Sequence, residues 1–168
     1  MGKIKLTTME KKMTNKKLTF KDIWVCLRSL NLSHLEYSKA GLTYIGWADM
    51  YSQLMDIYPQ AVYDFHDPVF YGEEGKQTCE VSCTITIEDI SRTMSLPIMT
   101  SSLPMKSIVN PSSRDINDGQ MRCFVKCCGM FGLGLYLWEK NGLKQVKNNY
   151  KSGTNEGNVS SFDSDLGV

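Results

Sequence analysis

Two basic residues four positions apart, Arg122 and Lys126, have the clearest spacing for a binding function in this sequence. In a helix, residues four apart lie on one face, one turn above the other, so both cations would meet the same ligand. Phosphates running along such a face would be attracted without any reading of base sequence. The alternative is a salt-bridged helix surface, because Asp118 lies four positions from both Arg114 and Arg122.

Six cysteines form the second group of residues that could do chemistry. Cys79 and Cys83 lie in an alternating, strand-like run, whereas Cys123, Cys127 and Cys128 lie in a helical run. Neither group has C-x2-C spacing, and the two histidines are not paired at ligand spacing. We interpret the cysteines as buried core residues in a reducing compartment, with a zinc site or redox chemistry as the alternative.

Catalytic motifs are not found in the sequence. It contains no G-x-S-x-G, H-E-x-x-H or P-loop pattern, and its glycine-rich run 129–134 lacks the G-x-G-x-x-G order. Residues 61–90 hold seven carboxylates and one lysine, which we interpret as a solvated face rather than a metal pair. The sequence therefore predicts neither an enzyme nor a cofactor.

The charge of the chain is segregated, although its formal net charge is only +1. Residues 1–17 hold six lysines and one glutamate, and residues 91–150 hold eight basic and three acidic residues. Near neutrality of the whole chain does not exclude a polyanionic partner, because local patches set the field that a partner meets; an unevenly charged solvated surface is the alternative. The sequence has no run of 18 apolar residues, so it predicts no membrane span, and residues 1–17 do not have a secretory pattern. We therefore expect a soluble cytoplasmic protein.

The 168 residues suit one domain flanked by two tails. We predict a basic mobile arm over 1–17, a folded domain over 18–150 and a disordered polar, acidic tail over 151–168. Within the domain, periodicity and breakers predict the following elements: a helix capped by Thr19, a strand over 42–45, a helix from Trp47 to Pro59, strands over 61–66, 79–88 and 90–99, a loop over 100–113 and a helix over 115–131. The fold class is α+β, a three- or four-stranded antiparallel meander with one solvated face.

The last helix has an apolar face of large residues at helical spacing: Met121, Phe124, Val125, Cys128 and Phe131. Gly119 and Gly129 extend the face of Arg122 and Lys126, which indicates close approach by another backbone, either nucleic acid or a packed strand. We expect the glycine run 129–134 to end the helix and return residues 133–138, including Trp138, to the core.

Several motifs occur in the order found in one phage protein family. They are LTYIGWA at 42–48, LPIM at 96–99, RDIN at 114–117, RCFVK at 122–126 and FGLGLYLW at 131–138. Over residues 18–139 the chain resembles the Sak-type single-strand annealing proteins of bacteriophage recombination systems. That family is similar to RecT, Redβ, Erf and the eukaryotic Rad-type annealing protein.

The resemblance implies a β-β-β-α core on a long helix, oligomeric rings or filaments, and ATP-independent annealing of complementary strands in recombination and repair. It also implies that single-stranded DNA lies in a basic groove beside that helix. Arg122, Lys126 and Arg114 stand at basic positions of the family, and Lys39 is a looser match to a basic position before the first hairpin. Thr100 stands where many members have Asp, so no role for that carboxylate carries over.

Physical chemistry adds three residues to this candidate site. Binding single strands regardless of sequence needs cations along the backbone and flat rings under the bases. Lys106 is a further cation, and Tyr44 and Trp47 are the candidate rings, although Trp47 opens an amphipathic helix and is more typical of a core residue. The alternative functions are a single-strand-binding protein that does not anneal, an interaction protein whose basic helix meets an acidic partner, and a thiol or zinc enzyme. The tail is a candidate docking segment for a host single-strand-binding protein.

Overall fold

The computed structural model describes residues 17–39, 41–100 and 104–139, and within them it confirms the predicted α+β class. The helices are α1 (Phe20–Arg28), α2 (Trp47–Ile57) and α3 (Ser113–Gly129). The first sheet is a hairpin of β1 (Glu36–Lys39) and β2 (Leu42–Ile45). The second sheet contains β3 (Val62–Phe65), β4 (Val69–Tyr71), β5 (Thr78–Ile87) and β6 (Ile90–Pro97).

Strand β5 is the centre of the four-stranded antiparallel sheet. It pairs with β6 on one side, and on the other side with β3 and then β4, which follow each other along one edge. The three residues between Phe65 and Val69 oppose the two residues of β5 between Cys83 and Glu80. Pro68 lies in this interruption, where its missing N–H costs no ladder hydrogen bond. The sequence predicted a strand over 61–66 but none over 69–71, because this interruption separates the short β4 from β3.

The two faces of β5 confirm the predicted alternation. One face is buried and consists of Cys79, Val81, Cys83, Ile85 and Ile87. The other face carries hydroxyl groups that pair with β6: Ser82 with Ser95 at 2.9 Å, Thr84 with Thr93 at 2.8 Å and Thr86 with Ser91 at 2.8 Å. Such cross-strand pairs stabilise the register of the β5–β6 hairpin, so the buried face is held toward the helices.

Helix α3 covers the buried face of the sheet, and helix α2 packs against α3. Helix α2 starts at Trp47 and ends before Pro59, as predicted, and buries Met50 and Leu54. The ring of Tyr51 lies 6.3 Å from that of Phe124 on α3, which joins the two helices. Helix α1 has the predicted cap, since Thr19 Oγ1 accepts a hydrogen bond from the backbone N–H of Asp22 at 3.3 Å.

The glycine run after α3 makes a tight turn that packs on the other two helices. Gly132 and Gly134 have φ values of 99° and 65°, which favour glycine. A Cβ on Gly134 would lie 2.8 Å from Cε of the buried Met50. Leu133 between them is fully buried. The run therefore ends the helix and returns the chain to the core, as the sequence predicts.

The prediction that Trp138 returns to the core is wrong, because 46% of its surface is exposed. Its ring lies over Gly129, where a Cβ would come within 3.1 Å of Trp138 Cζ3. The adjacent Glu139 accepts hydrogen bonds from Arg28 Nη2 at 2.8 and 2.6 Å, which tie this segment to α1. The predicted arm (residues 1–17, apart from Lys17) and the tail over 151–168 lie outside the described residues.

Candidate nucleic-acid interface

Helix α3, which carries the candidate cations, begins at a side-chain cap. Ser112 Oγ accepts a hydrogen bond from the N–H of Asp115 at 3.3 Å, and the carboxylate of Asp115 accepts from the N–H of Ser112 at 2.9 Å. This capping box satisfies backbone donors that the first turn leaves open. The hydrogen bonds from Ser112 also lower the pKa of Asp115, so its carboxylate is charged at neutral pH.

The side of α3 that lies on the sheet is formed by small residues at a spacing of four: Gly119, Cys123 and Cys127. The Cys123 thiol donates to the carbonyl of Met94 at 3.1 Å, and the Cys127 thiol donates to that of Arg92 at 3.3 Å. A Cβ on Gly119 would lie 3.2 Å from Cγ1 of Ile98, the residue after β6. Of the two partners that the sequence left open for Gly119, the packed strand is therefore the one observed.

The predicted core face of α3 is confirmed for four of its five residues. Phe124, Cys128 and Phe131 are buried and Val125 is partly buried against the core, whereas Met121 is only partly buried and lines the open groove. Compared with the predicted orientation, α3 is rotated about its own axis, because the small residues Gly119, Cys123 and Cys127 lie against the sheet in place of its largest apolar residues. Large side chains at the stripe would hold the two layers farther apart.

Arg122 and Lys126 lie on the flank of α3 opposite Phe124. The Phe124 ring packs 5.1 Å from Tyr63 of β3, so the other flank is directed toward the β6 side of the sheet. Arg122 is exposed and Lys126 is partly buried. The two cations therefore lie one helical turn apart on one flank of α3, as the sequence predicts.

An open groove of about 640 Å³ crosses the N-terminal half of α3. Its lining includes Trp47 of α2, Arg122 of α3 and the segment from Ile98 to Thr100. The groove thus brings one predicted ring and one predicted cation together, although they are 75 positions apart in sequence. An aromatic ring and a guanidinium in one open groove are the kinds of group that bind single-stranded nucleic acid.

Two carboxylates also line the groove, Asp115 and Asp118. The first is held by the helix cap, and the second lies 4.0 Å from Nε of Arg114. Both partners of that ion pair are highly exposed, so the pair is worth less than about 1 kcal/mol. Asp115 keeps its charge beside this pair, so the end of the groove near Arg114 is net negative. Arg122 is the cation among the described residues that line the groove, and Lys126 lies one turn beyond it, outside the lining.

The other predicted cations do not line the groove: Arg114, Lys126, Lys106 and Lys39. Lys106 is exposed, and its backbone hydrogen-bonds to that of Thr100, a groove residue, with Thr100 N donating to Lys106 O at 2.8 Å. Lys39 is exposed at the end of β1, where its Cα partner is Leu42, and it does not line the groove. Lys106 therefore extends the candidate site, whereas Lys39 belongs to a separate hairpin.

The β1–β2 hairpin carries a pair of aromatic residues, of which the sequence predicted only Tyr44. Tyr37 and Tyr44 are Cα partners, and their rings stack with centroids 5.7 Å apart and planes at 29°. Both rings are about half exposed. A Cβ on Gly46 would lie 4.0 Å from Cε2 of Tyr37, which places this ring near the start of α2 and therefore near Trp47. Tyr37 was missed because only the hairpin register pairs it with Tyr44.

Trp47 is half exposed, with 50% of its surface accessible, so the core position favoured by the sequence is not observed. Trp47 lines a small cavity shared with Tyr51, Tyr63 and Phe124, and it also lines the open groove. A partly packed and partly exposed indole is the kind of ring on which a base can stack.

The cysteines are core residues, as predicted. Cys79, Cys83, Cys123, Cys127 and Cys128 are buried and carry free thiols, and Cys26 is partly buried. Burial raises the pKa of Cys123 to about 11 and raises that of Cys128, which keeps both thiols protonated at neutral pH. Among the described residues, no three cysteines, histidines or carboxylates are grouped as metal ligands.

The fold and the groove together define a class of protein: an α+β domain whose long helix and neighbouring aromatic residues border an open groove that contains a guanidinium. A comparison with protein-family models gives a match to the Sak Single Strand Annealing Protein family over residues 21–162. The comparison with curated proteins found no match. Since the family match spans most of the 168 residues, the chain belongs to the Sak single-strand annealing proteins. In the described residues no helix is long and apolar enough to cross a membrane.

Proposed function

We propose that this protein anneals complementary single strands of DNA without hydrolysing a nucleotide, as a recombination and repair protein of a phage in the cytoplasm of its host. Membership of the annealing family supports the activity. The observation that carries the proposal is the open groove, in which the exposed Trp47 ring and the Arg122 guanidinium face the same space.

In the proposed complex, the DNA backbone follows the flank of α3. Arg122 and Lys126 neutralise successive phosphates, and Lys106 extends the cationic path past the groove wall. Asp115 and Asp118 repel phosphates from the capped end of the helix, so the backbone runs toward the Arg122–Lys126 end. These contacts do not read sequence, which suits a protein that must pair any complementary strands.

The aromatic rings hold bases in the proposed complex. Trp47 stacks on a base inside the groove, and the Tyr37–Tyr44 pair receives bases that leave it toward the hairpin. Stacking is tolerant of base identity because every base has a π face, and it contributes roughly 1–3 kcal/mol per base. Since neither stacking nor phosphate contact occupies the Watson–Crick edges, a bound strand keeps those edges free for its complement.

Two further parts of the proposal concern partners. Annealing by this family implies a homo-oligomer, a ring or filament, along which many subunits hold one strand. The C-terminal tail, residues 151–168, interleaves acidic and apolar residues and is proposed to dock on a host single-strand-binding protein. Both partners are open to direct tests by sizing and by pull-down with the purified host protein.

The test of the function is a pairing assay with two labelled complementary oligonucleotides and no nucleotide cofactor. We expect the protein to raise the rate of pairing above the spontaneous rate at low salt concentration. A protein that only covers single strands slows pairing instead, and this result would refute annealing while leaving DNA binding intact. Absence of any binding to single-stranded DNA at low salt would refute the whole proposal in favour of a protein partner for the basic helix.

A further inference from the structure

The edge of the large sheet formed by β3 and β4, which we name the β3–β4 edge (residues 62–71), exposes apolar side chains. Among the described residues, both strands pair with β5 on one side and with no strand on the other. The exposed fractions are 62% for Val62, 47% for Val69, 47% for Phe70 and 52% for Tyr71. An apolar strand edge of this kind pairs readily with another strand unless something covers it.

The exposed residues lie on both faces of the sheet. Phe70 is the Cα partner of the buried Cys79 and so points to the helix side. Val69 and Tyr71, its neighbours, point to the opposite side because strand residues alternate. A partner that packed on one face would leave the other uncovered, whereas an added strand would carry side chains over both faces.

The charges around this edge specify the chemistry of its partner. Asp64 and Asp67 lie in and after β3, and Glu73 and Glu74 lie in the turn after β4; all four are exposed. The whole stretch 61–90 contains a single basic residue, Lys76. A strand that binds here must therefore combine apolar residues for the edge with cations for its acidic rim.

We propose that the partner of the β3–β4 edge is the basic arm of the same chain, residues 3–16, added as an antiparallel strand. The arm contains five lysines and one glutamate. At its start, Ile4 and Leu6 alternate with Lys3 and Lys5, the pattern of a strand with one apolar and one cationic face.

The first described residue, Lys17, lies near the end of the β3–β4 edge at which the arm would start to pair. Lys17 Nζ lies 2.6 Å from the carboxylate of Asp89, in the turn between β5 and β6. Val62, the start of the edge, pairs with Thr86 close to that turn. From Lys17 the arm runs back along the edge toward Tyr71, so its direction is antiparallel to β3 and β4.

The arm is also long enough to cover the edge. Ten residues in strand conformation extend over about 30 Å. The 16 residues before Lys17 reach up to about 50 Å when extended, so the arm can run the full length of its own sheet edge. The arm needs no second copy to do so.

Hydrogen exchange of the full chain, read by mass spectrometry, tests this proposal. We compare the native chain with Lys3→Glu/Lys5→Glu and with a matched control, Lys144→Glu/Lys147→Glu, which changes the same number of charges outside the arm. We expect the amides of residues 62–71 to exchange about tenfold faster or more in the arm variant, since each tenfold change corresponds to about 1.4 kcal/mol. The control should exchange like the native chain.

Three outcomes overturn the proposal. Equal exchange at residues 62–71 in the native chain and the arm variant would show that the arm does not cover the edge. Faster exchange in both double variants would reflect net charge alone. Protection that rises with protein concentration would assign the edge to a second copy. DNA binding is read in the same samples and is expected to be kept in both variants, so failure here is distinguishable from failure of the annealing proposal.

Discussion

Reversing both cations of α3, as Arg122→Glu/Lys126→Glu, is the perturbation that most directly tests the DNA site. Neither side chain belongs to the buried stripe of the helix, which Gly119, Cys123 and Cys127 form. We therefore expect circular dichroism and sizing of the double variant to match those of the native protein. Binding to single-stranded DNA and annealing are expected to be lost.

The size of the effect follows from two phosphate contacts. A unit charge 4 Å from a phosphate in water contributes about 1 kcal/mol, and reversal adds a repulsion of similar size. Two reversals then cost about 4 kcal/mol, which is roughly a thousandfold in affinity. Single strands release about 0.7 counterion per contact, so the logarithmic salt dependence of binding should become shallower by about 1.4.

The assay is fluorescence anisotropy of a labelled oligonucleotide over a salt series, beside the pairing assay. The matched control is Lys21→Glu/Lys76→Glu, which reverses two exposed charges that do not line the groove. Native affinity and an unchanged salt slope in a folded Arg122→Glu/Lys126→Glu protein would show that α3 is not the DNA site. Loss of the fold would instead support the salt-bridged helix surface.

Four further predictions concern single features. Trp47→Ala should weaken single-strand binding by roughly 1–3 kcal/mol while circular dichroism stays native; unfolding would instead mean that the ring is structural. Gly134→Ala should lower stability by about 1 kcal/mol or more in urea denaturation, because a Cβ meets Met50 Cε at a positive φ; unchanged stability would contradict this packing. Ser112→Ala should cost about 1 kcal/mol at pH 7. The lowered pKa of Asp115 means that the part of the cap that depends on its charge is present above the unfolded pKa and is lost as the pH falls through the folded value. The stability difference between this variant and the native chain should therefore shrink as the pH falls below the unfolded pKa of about 3.9, and the part due to the Asp115 N–H to Ser112 Oγ hydrogen bond should remain. Deleting residues 152–168 should leave annealing of bare DNA intact, and loss of annealing would show that the tail belongs to the fold or to the oligomer.

Local signals in the sequence were sufficient for most elements of the fold. The alternation over β5 and the cap at Thr19 each depend on neighbours within a few residues, so both were predicted correctly. Strand β4 was missed because Val69–Tyr71 is only three residues long and follows Pro68. Its existence depends on pairing with β5, and no local pattern reports that pairing.

The candidate site shows the same division between local and long-range information. The spacing of Arg122 and Lys126 is a property of one helix and was readable directly. The meeting of Trp47 with Arg122 requires α2 and α3 to pack side by side, and the stacking of Tyr37 on Tyr44 requires the hairpin register. Motif resemblance supplied the family, but only tertiary structure brings the ring and the cation into one groove.

The small stripe of α3 explains how the groove arises. Gly119, Cys123 and Cys127 have little or no side-chain bulk, so the helix lies close enough for two thiols to donate to strand carbonyls at 3.1–3.4 Å. The same close approach brings Ile98 against Gly119. The segment after β6 therefore lies beside the helix, where it lines the groove. Gly119, Cys123 and Cys127 therefore fix the rotation of α3 on the sheet, and this rotation places Arg122 and Lys126 on the flank directed toward β6.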